Sequence, residues 1–432
     1  MKKALICLEQ LGIGGVETFT ITQIEEFTRR NIKCYVMARD GILKEQIENK
    51  SNIEYIEFDF KLENTLDYSK ISEIEKFVIK NKIDFIYVHQ FPCVPYILPV
   101  VFKTKVPYVA YLHNIVLNTC EWFMNTYPIY RILLPTYFEC ASKIIAISET
   151  VKEENKKLFN LPERKYITIK NSLDFNNYPN KKIKSINCNY KTMLWFGRIT
   201  QLKRQSIETA IEFYDYCKEN YNKDMKLIIV GDGELFDEMV EKAKNKNIIF
   251  KGALSNMKSE IEKADILLGV DRCALESIAS KKPTIICGYD KNIVLITPKN
   301  IKKAAAENFT GRNLKNDKSE IFKYNQKEII DIIEKNYDYV SENLSISKSI
   351  YLDIDNFENS VNMNNIFFEI NEYQKKIASL EKKNKELFLE GQELYKIIDS
   401  YKTRNNIINR MITKTSNFYR NLLNTIKNIG GK

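Results

Sequence analysis

Short apolar runs alternate with helical stretches along the first 180 residues. Ala4–Leu8, Cys34–Ala38, Ile53–Phe58, Phe85–Val88, Tyr108–Leu112, Ile144–Ile147 and Ile167–Ile169 are β-branched or aromatic runs of strand length. Val16–Arg30, Ile71–Lys80, Trp122–Cys140 and Glu149–Phe159 carry helical spacing between them. Continuous apolar strands separated by helices predict a parallel sheet covered on both faces. Residues 172–190 are polar, rich in Asn and Lys, and carry a Pro, which predicts a linker. The alternation then restarts, with strands at Thr192–Phe196, Leu227–Val230, Ile248–Phe250, Ile266–Leu268 and Thr284–Cys287. Arg204–Asn220 and Leu235–Lys246 are the helices between them. The expectation is two α/β domains in series, 1–180 and 190–318.

Beyond residue 318 the strand signals stop. Residues 320–345 read as helical, and 319–365 form a closing segment that ends in a polar joint at Asn359–Asn365. From Ile370 a heptad register runs without a slip to Ile429, and fourteen of its eighteen a and d positions are apolar. That predicts a coiled coil over 366–432, with Asn384 and Asn405 at a positions favouring two strands, hence a homodimer through 370–429. In the last thirty residues Ile408, Met411, Ile412, Leu422, Leu423 and Ile426 make one apolar face with Arg and Lys on the others. Such a face serves equally as a dimer seam or as a peripheral contact with an anionic membrane surface.

Charge sharpens this picture. The formal net charge is +10, but Ser400–Lys432 holds seven Lys or Arg and no Asp or Glu. Residues 1–399 carry 59 basic against 56 acidic side chains, so the body is close to neutral and a broad nucleic-acid-binding surface is not expected. No apolar run approaches the roughly 20 residues of a membrane-spanning helix; Val94–Phe102 stops at Lys103. MKKALICLEQ reads as a first strand and not a signal peptide, because Glu9 breaks its apolar stretch. The nine cysteines show no CxxC pair, which fits small buried hydrophobes in a reducing cytosol. His89 and His113 are the only histidines, which leaves almost no room for a His-rich metal site.

Three segments carry chemistry. LGIGGVE places Gly12, Gly14 and Gly15 between the first strand and the first helix, where backbone N–H groups can approach a phosphate. A dinucleotide fingerprint needs a small residue where Glu17 stands, so a dehydrogenase is disfavoured even though Asp40 ends the second strand. WFGRITQLKR puts Gly197 and Arg198 at a strand end and Lys203 and Arg204 at a helix start, cations suited to a diphosphate. LIIVGDGEL ends another strand in Gly231-Asp232-Gly233, a further ligand-side turn. ADILLGVDRCALESIASKKPTIICG presents Glu276 on a helix, a carboxylate able to accept two hydroxyl hydrogen bonds from a ribose or sugar.

Taken in order, GGVE, AISETVKEE, PERKYITIKNSLD, FGRI with Lys203, LIIVGDGEL, NIIFKG and ALESIASKKPTI resemble family 4 glycosyltransferases over about residues 1–315. The resemblance implies the GT-B fold, two Rossmann-like domains facing a cleft, and retaining transfer of a sugar from a nucleotide-sugar donor to an acceptor hydroxyl without a metal. It implies that Arg198 and Lys203 bind the donor diphosphate, Glu276 the ribose, and Gly14 and Gly15 close over the phosphates, while His113 in YLHN touches the donor sugar. The family's second glutamate falls at Leu268 here, so either Asp271 replaces it or the donor sugar is held differently. Ser172 stands where the family commonly has Gly. The implied setting is surface polysaccharide or glycoconjugate assembly, with a glycan or lipid-linked acceptor at the inner membrane face. A non-catalytic GT-B scaffold organised by the coil and a nucleotide-sugar epimerase are the alternatives.

Overall fold

The computed structural model describes residues 1–350, apart from 49, 64, 65, 118–123, 128, 129, 132, 245 and 255, together with 383, 386, 389, 390, 392 and 393. The chain divides into two units, Met1–Val361 and Asn362–Lys432. Apart from those six positions, the expected coiled coil over 370–429 and the basic end 400–432 lie outside the described residues.

Seven parallel strands form the first sheet: β1 (Lys2–Gln10), β2 (Ile32–Arg39), β3 (Ile53–Glu57), β4 (Phe85–Val88), β5 (Tyr108–Leu112), β6 (Lys143–Ala146) and β7 (Tyr166–Thr168). Their order is β3-β2-β1-β4-β5-β6-β7. Six strands form the second: β8 (Thr192–Phe196), β9 (Lys226–Val230), β10 (Ile248–Phe250), β11 (Ile266–Gly269), β12 (Thr284–Cys287) and β13 (Ile293–Leu295), in the order β10-β9-β8-β11-β12-β13. Only β13 runs antiparallel to its neighbour. Both sheets reverse strand order beside their first strand, between β1 and β4 and between β8 and β11. In open α/β sheets ligands bind at such switch points, outside the strand C-termini. The central strands are apolar throughout because helices cover both faces; Ala4 to Leu8 are fully buried.

Helices link the strands: α1 (Gly15–Arg29), α2 (Tyr68–Asn81), α3 (Val94–Thr104), α4 (Leu134–Glu139) and α5 (Glu149–Phe159) in the first half. The second half has α6 (Arg204–Asn220), α7 (Phe236–Lys242), α8 (Lys258–Lys263), α9 (Asp271–Ala279) and α10 (Ile301–Ala306), then α11 (Gln326–Asn343) and α12 (Ile346–Ser349). One expectation needs correcting. Trp122–Cys140 is not one helix; α4 covers Leu134–Glu139, with Pro135 in its first turn. A helix continuous from Trp122 would put that proline in its interior, where it lacks the N–H and clashes with the preceding turn. The eight cysteines among the described residues are free, and burial pushes the Cys34 and Cys140 thiols up to about 12. Among the described residues no helix is long and apolar enough to cross a membrane.

The polar run 172–190 is anchored at its start and is not a loose linker. Ser172 and Leu173 are buried, and Leu173 packs in the core around α9 and α11. Leu173 N donates to Leu344 O at 3.0 Å, and Ile346 N donates to Leu173 O at 2.9 Å. The chain thus passes between the halves twice, at 172–174 and 344–346, with the two passages side by side. An Asn325–Glu328 capping box starts α11, whose Ile329, Ile332 and Ile333 complete the core of the second sheet. Ile346 and Ile350 then pack into the core of the first. Arg29 pairs with Asp174, and Arg30 Nη2 donates to Ser347 O at 2.6 Å, tying α1 to both passages.

Candidate active site

The glycine turn after β1 meets Arg198, which follows β8. Arg198 Nε donates to Ile13 O at 2.6 Å and Nη2 to Glu17 Oε2 at 2.7 Å. Glu17 is buried, and its other oxygen accepts from Gln90 Nε2 at 3.2 Å. Gly14 makes this approach possible: a Cβ there would lie 2.0 Å from Arg198 Nη2. Gly15 starts α1 and lies beside Arg272, whose Cβ would sit 3.9 Å from a side chain at Gly15. A cleft of about 220 Å³ opens here between Glu9, Gln10, Gly12, Ile13, Glu17, Gln90 and Arg198.

Lys203 and Asp271 form the next cluster. Lys203 Nζ lies 3.2 Å from Asp271 Oδ2, which also accepts from Tyr289 Oη at 2.6 Å. Burial is the largest single influence and works against the Lys203 charge, but Asp271 first, with Tyr289 and Cys273, together hold the ammonium above its ordinary range. Asp271 opens α9 with φ +55°, a left-handed conformation that Asp tolerates better than most residues. Only Val270 separates it from β11. Leu268, where the family resemblance wants a carboxylate, is fully buried within β11 and packs in the sheet core, so it faces no ligand.

Glu276 is bound by Arg272. Arg272 Nε donates to Glu276 Oε1 at 2.9 Å, Nη1 to Ser172 O at 3.0 Å and Nη2 to Thr22 Oγ1 at 3.0 Å. One buried guanidinium therefore joins α9, the first passage between the halves and α1. Arg272 also sits near His113, which follows β5, and its charge together with burial drives that imidazole's pKa down to about 3, burial being the larger cause. His113 bonds His89, which follows β4 and is held below its ordinary range chiefly by burial. Gly231 has a packing role: a Cβ there would fall 1.8 Å from Gly197 O, so β8 and β9 end in backbone contact just before Arg198.

The predicted residues thus come together as linked groups: Gly14 with Arg198, Lys203 with Asp271, Glu276 with Arg272 beside His113. Sequence reasoning missed Glu17, Arg272 and Tyr289 as members. The Arg272–Glu276 spacing of four on a helix was the available signal for one of them. Among the described residues, no three His, Cys, Asp or Glu side chains converge as a metal site.

Comparison with solved structures decides the architecture. HepE of Anabaena, solved with UDP and glucose, superposes with a TM-score of 0.59 at 15% identity, covering 81% of this chain and 97% of its own. A glycosyltransferase from Rickettsia africae superposes with a TM-score of 0.54 at 15% identity, over 87% and 98%. The chain has the GT-B fold. Within the GT-B body, residues 13–177 match the model of Glycosyltransferase Family 4. An uncharacterized glycosyltransferase of Methanocaldococcus jannaschii is 25% identical over 232 residues, 45% of this chain and 57% of that relative's length.

The two histidines give the GT-B body a pH dependence. Both are neutral when folded and take up protons in the unfolded chain below about pH 6.5, so their stabilisation is present above that pH. For His113 it is lost as pH falls from about 6.5 toward 3. Between pH 7 and pH 5 that ring should account for about 2 kcal/mol of lost stability. Urea midpoints at the two pH values should move less in His113→Asn than in the wild type; equal movement would contradict the buried neutral ring.

Proposed function

We propose that the protein is a retaining glycosyltransferase that moves a sugar from a nucleotide-sugar donor, UDP being the nucleotide, to an acceptor hydroxyl. The observation that carries this reading is the placement of Arg198, Lys203 and Glu276 beyond the C-terminal ends of β8 and β11, with Arg198 against the Gly14–Gly15 turn of the other half. In it the bond from the sugar's anomeric carbon to the diphosphate breaks, and a bond to the acceptor oxygen forms on the same face. Arg198 and Lys203 meet the negative charge that develops on the departing diphosphate, and no metal is required. Glu276 holds the ribose hydroxyls, and Gly231 keeps the turn beside Arg198 flat enough for the diphosphate to lie there. Asp271, held by Lys203 and Tyr289, supplies the carboxylate that Leu268 does not, and His113 faces the sugar. Support comes from the family match over 13–177 and from the UDP held by the Anabaena neighbour.

Arg198 pairs with Glu17, and Lys203 with Asp271. That pairing is also what a non-catalytic scaffold would keep permanently, which makes the scaffold the second reading. The proposed setting is surface polysaccharide or glycoconjugate assembly, with 370–429 pairing two copies and 400–432 resting on an anionic membrane surface.

A thermal-shift panel on the full chain separates the readings. UDP at a hundred times its dissociation constant should stabilise by about 2.7 kcal/mol, a rise of a few degrees, with ADP and GDP weaker. The rise should vanish in Arg198→Ala. No rise with any nucleoside diphosphate or nucleotide sugar would overturn the donor site and favour the scaffold.

A further inference from the structure

His89 and His113 join a buried relay that reaches beyond the two rings. His113 Nε2 lies 3.1 Å from His89 Nδ1, and His89 Nε2 lies 2.8 Å from Gln23 Oε1. Gln23 Nε2 donates to Tyr111 Oη at 2.8 Å. Gln23 comes from α1, so the relay runs from the helix behind the glycine turn, across β4, to the end of β5. His89 stacks on the Tyr111 ring at 4.6 Å between centroids, and the edge of Phe19 meets His113 at 5.5 Å. These contacts fix the planes of both imidazoles.

The donor and acceptor roles follow link by link. An amide oxygen only accepts, so His89 Nε2 carries a proton toward Gln23. A neutral imidazole has a single N–H, so His89 Nδ1 is a lone pair. That lone pair accepts from His113, whose Nε2 then carries the proton. His113 Nδ1 is left as a lone pair; it bonds nothing among the described residues and is not one of the buried atoms lacking a partner. The Arg272 guanidinium on α9 opposes a second proton on His113. Tyr111, on β5, and Gln23, on α1, are neutral, and no carboxylate among the described residues bonds either ring.

We infer that Gln23 and His89 are positioning residues that hold His113 in its Nε2–H tautomer, which leaves Nδ1 as a hydrogen-bond acceptor for a hydroxyl of the bound sugar. The last step rests on the donor-site reading above; the tautomer does not. The arrangement selects for a sugar with a hydroxyl at that point, since a deoxy sugar would leave the nitrogen without its donor.

Because the chain has only two histidines, their four ring nitrogens can be read without ambiguity in a full chain labelled with ¹⁵N-histidine. Long-range ¹H–¹⁵N correlations in the absence of ligand should show both rings as single Nε2–H tautomers, unchanged between pH 5.5 and 8. Gln23→Leu should turn both rings into tautomer mixtures. Gln23→Glu, which keeps the accepting oxygen, should retain the wild-type tautomers and covers the case in which Gln23→Leu does not fold. An Nδ1–H form of His113, averaged or titrating rings in the wild type, a Gln23→Leu spectrum identical to wild type, or inverted tautomers in Gln23→Glu would each overturn the relay. UDP-glucose should then shift His113 Nδ1. If the tautomers stand but that nitrogen does not move, the donor-site reading fails, and with it the sugar hydroxyl as the partner of Nδ1.

Discussion

Lys203→Ala should lower kcat for sugar transfer by about 10²- to 10³-fold, with a smaller change in the donor KM. The loss of a fixed charge aimed at developing negative charge has that size when the site excludes water, because no solvent reorganises to replace it. Lys203 is suited to the role by its seat: its side chain is about four-fifths buried, and Asp271 keeps it charged there. The substitution also leaves Asp271 with Tyr289 as its remaining partner, so some loss reflects a carboxylate that has moved. Lys203→Arg separates the two contributions, since it restores the charge to Asp271 while changing the shape offered to the diphosphate. Single-turnover measurements with the UDP-sugar that gives the largest thermal shift are the check. Wild-type kcat in Lys203→Ala would remove Lys203 from the reaction.

Gly231→Ala should destabilise the protein by about 3 kcal/mol or more, far beyond the range of surface substitutions. The added carbon would fall 1.8 Å from Gly197 O and 3.0 Å from its carbonyl carbon, at a backbone φ of +149° that side chains rarely adopt. Neither backbone can retreat freely. Gly197 N donates to Val230 O at 3.0 Å, and Gly231 N donates to Gly252 O at 2.8 Å, so moving either turn breaks a ladder bond. Gly252→Ala is the control: its φ of +67° is also left-handed, but nothing lies within 4 Å of the new carbon, and about 1 kcal/mol is expected. Urea midpoints of the two variants should differ by several-fold in their shifts. Equal shifts would mean that the contact at Gly197 relaxes without cost.

Much of the fold is legible because buried parallel strands need continuous apolar runs, and those runs stand out between helical spacings. Val94–Thr104 escaped assignment for the opposite reason: it is apolar almost all round, so no period marks it as a helix. Ile293–Leu295 belongs to the run Ile293–Thr297, which carries the same strand signal as Ile248–Phe250 yet escaped assignment. Within the site, Gly14, Arg198 and Lys203 announce themselves because turn glycines and clustered cations have local spacing. Glu17 speaks locally only through its size, which argues against a dinucleotide turn; its partner Arg198 stands 181 residues away and leaves no local trace. Tyr289 reaches Asp271 from the far side of β12, and Gln23 reaches His89 from another element; neither approach has a local signature. The chemistry that sequence missed is the part made only by tertiary proximity.

The pairing of Leu173 with Ser345, and the seating of Ile346 and Ile350 in the core of the first sheet, have a consequence for how the protein is made. The N-terminal half is discontinuous in the chain. When a ribosome has finished β7, the core around β1 and β2 still lacks its last two apolar side chains, and about 180 more residues must be added first. At the usual 5–20 residues per second that is a wait on the order of ten to thirty seconds. During this interval the second half, whose core takes Leu173 but no side chain from residues 1–170, can fold around β8 and receive α11. The half that is synthesised first is therefore the half that is completed last.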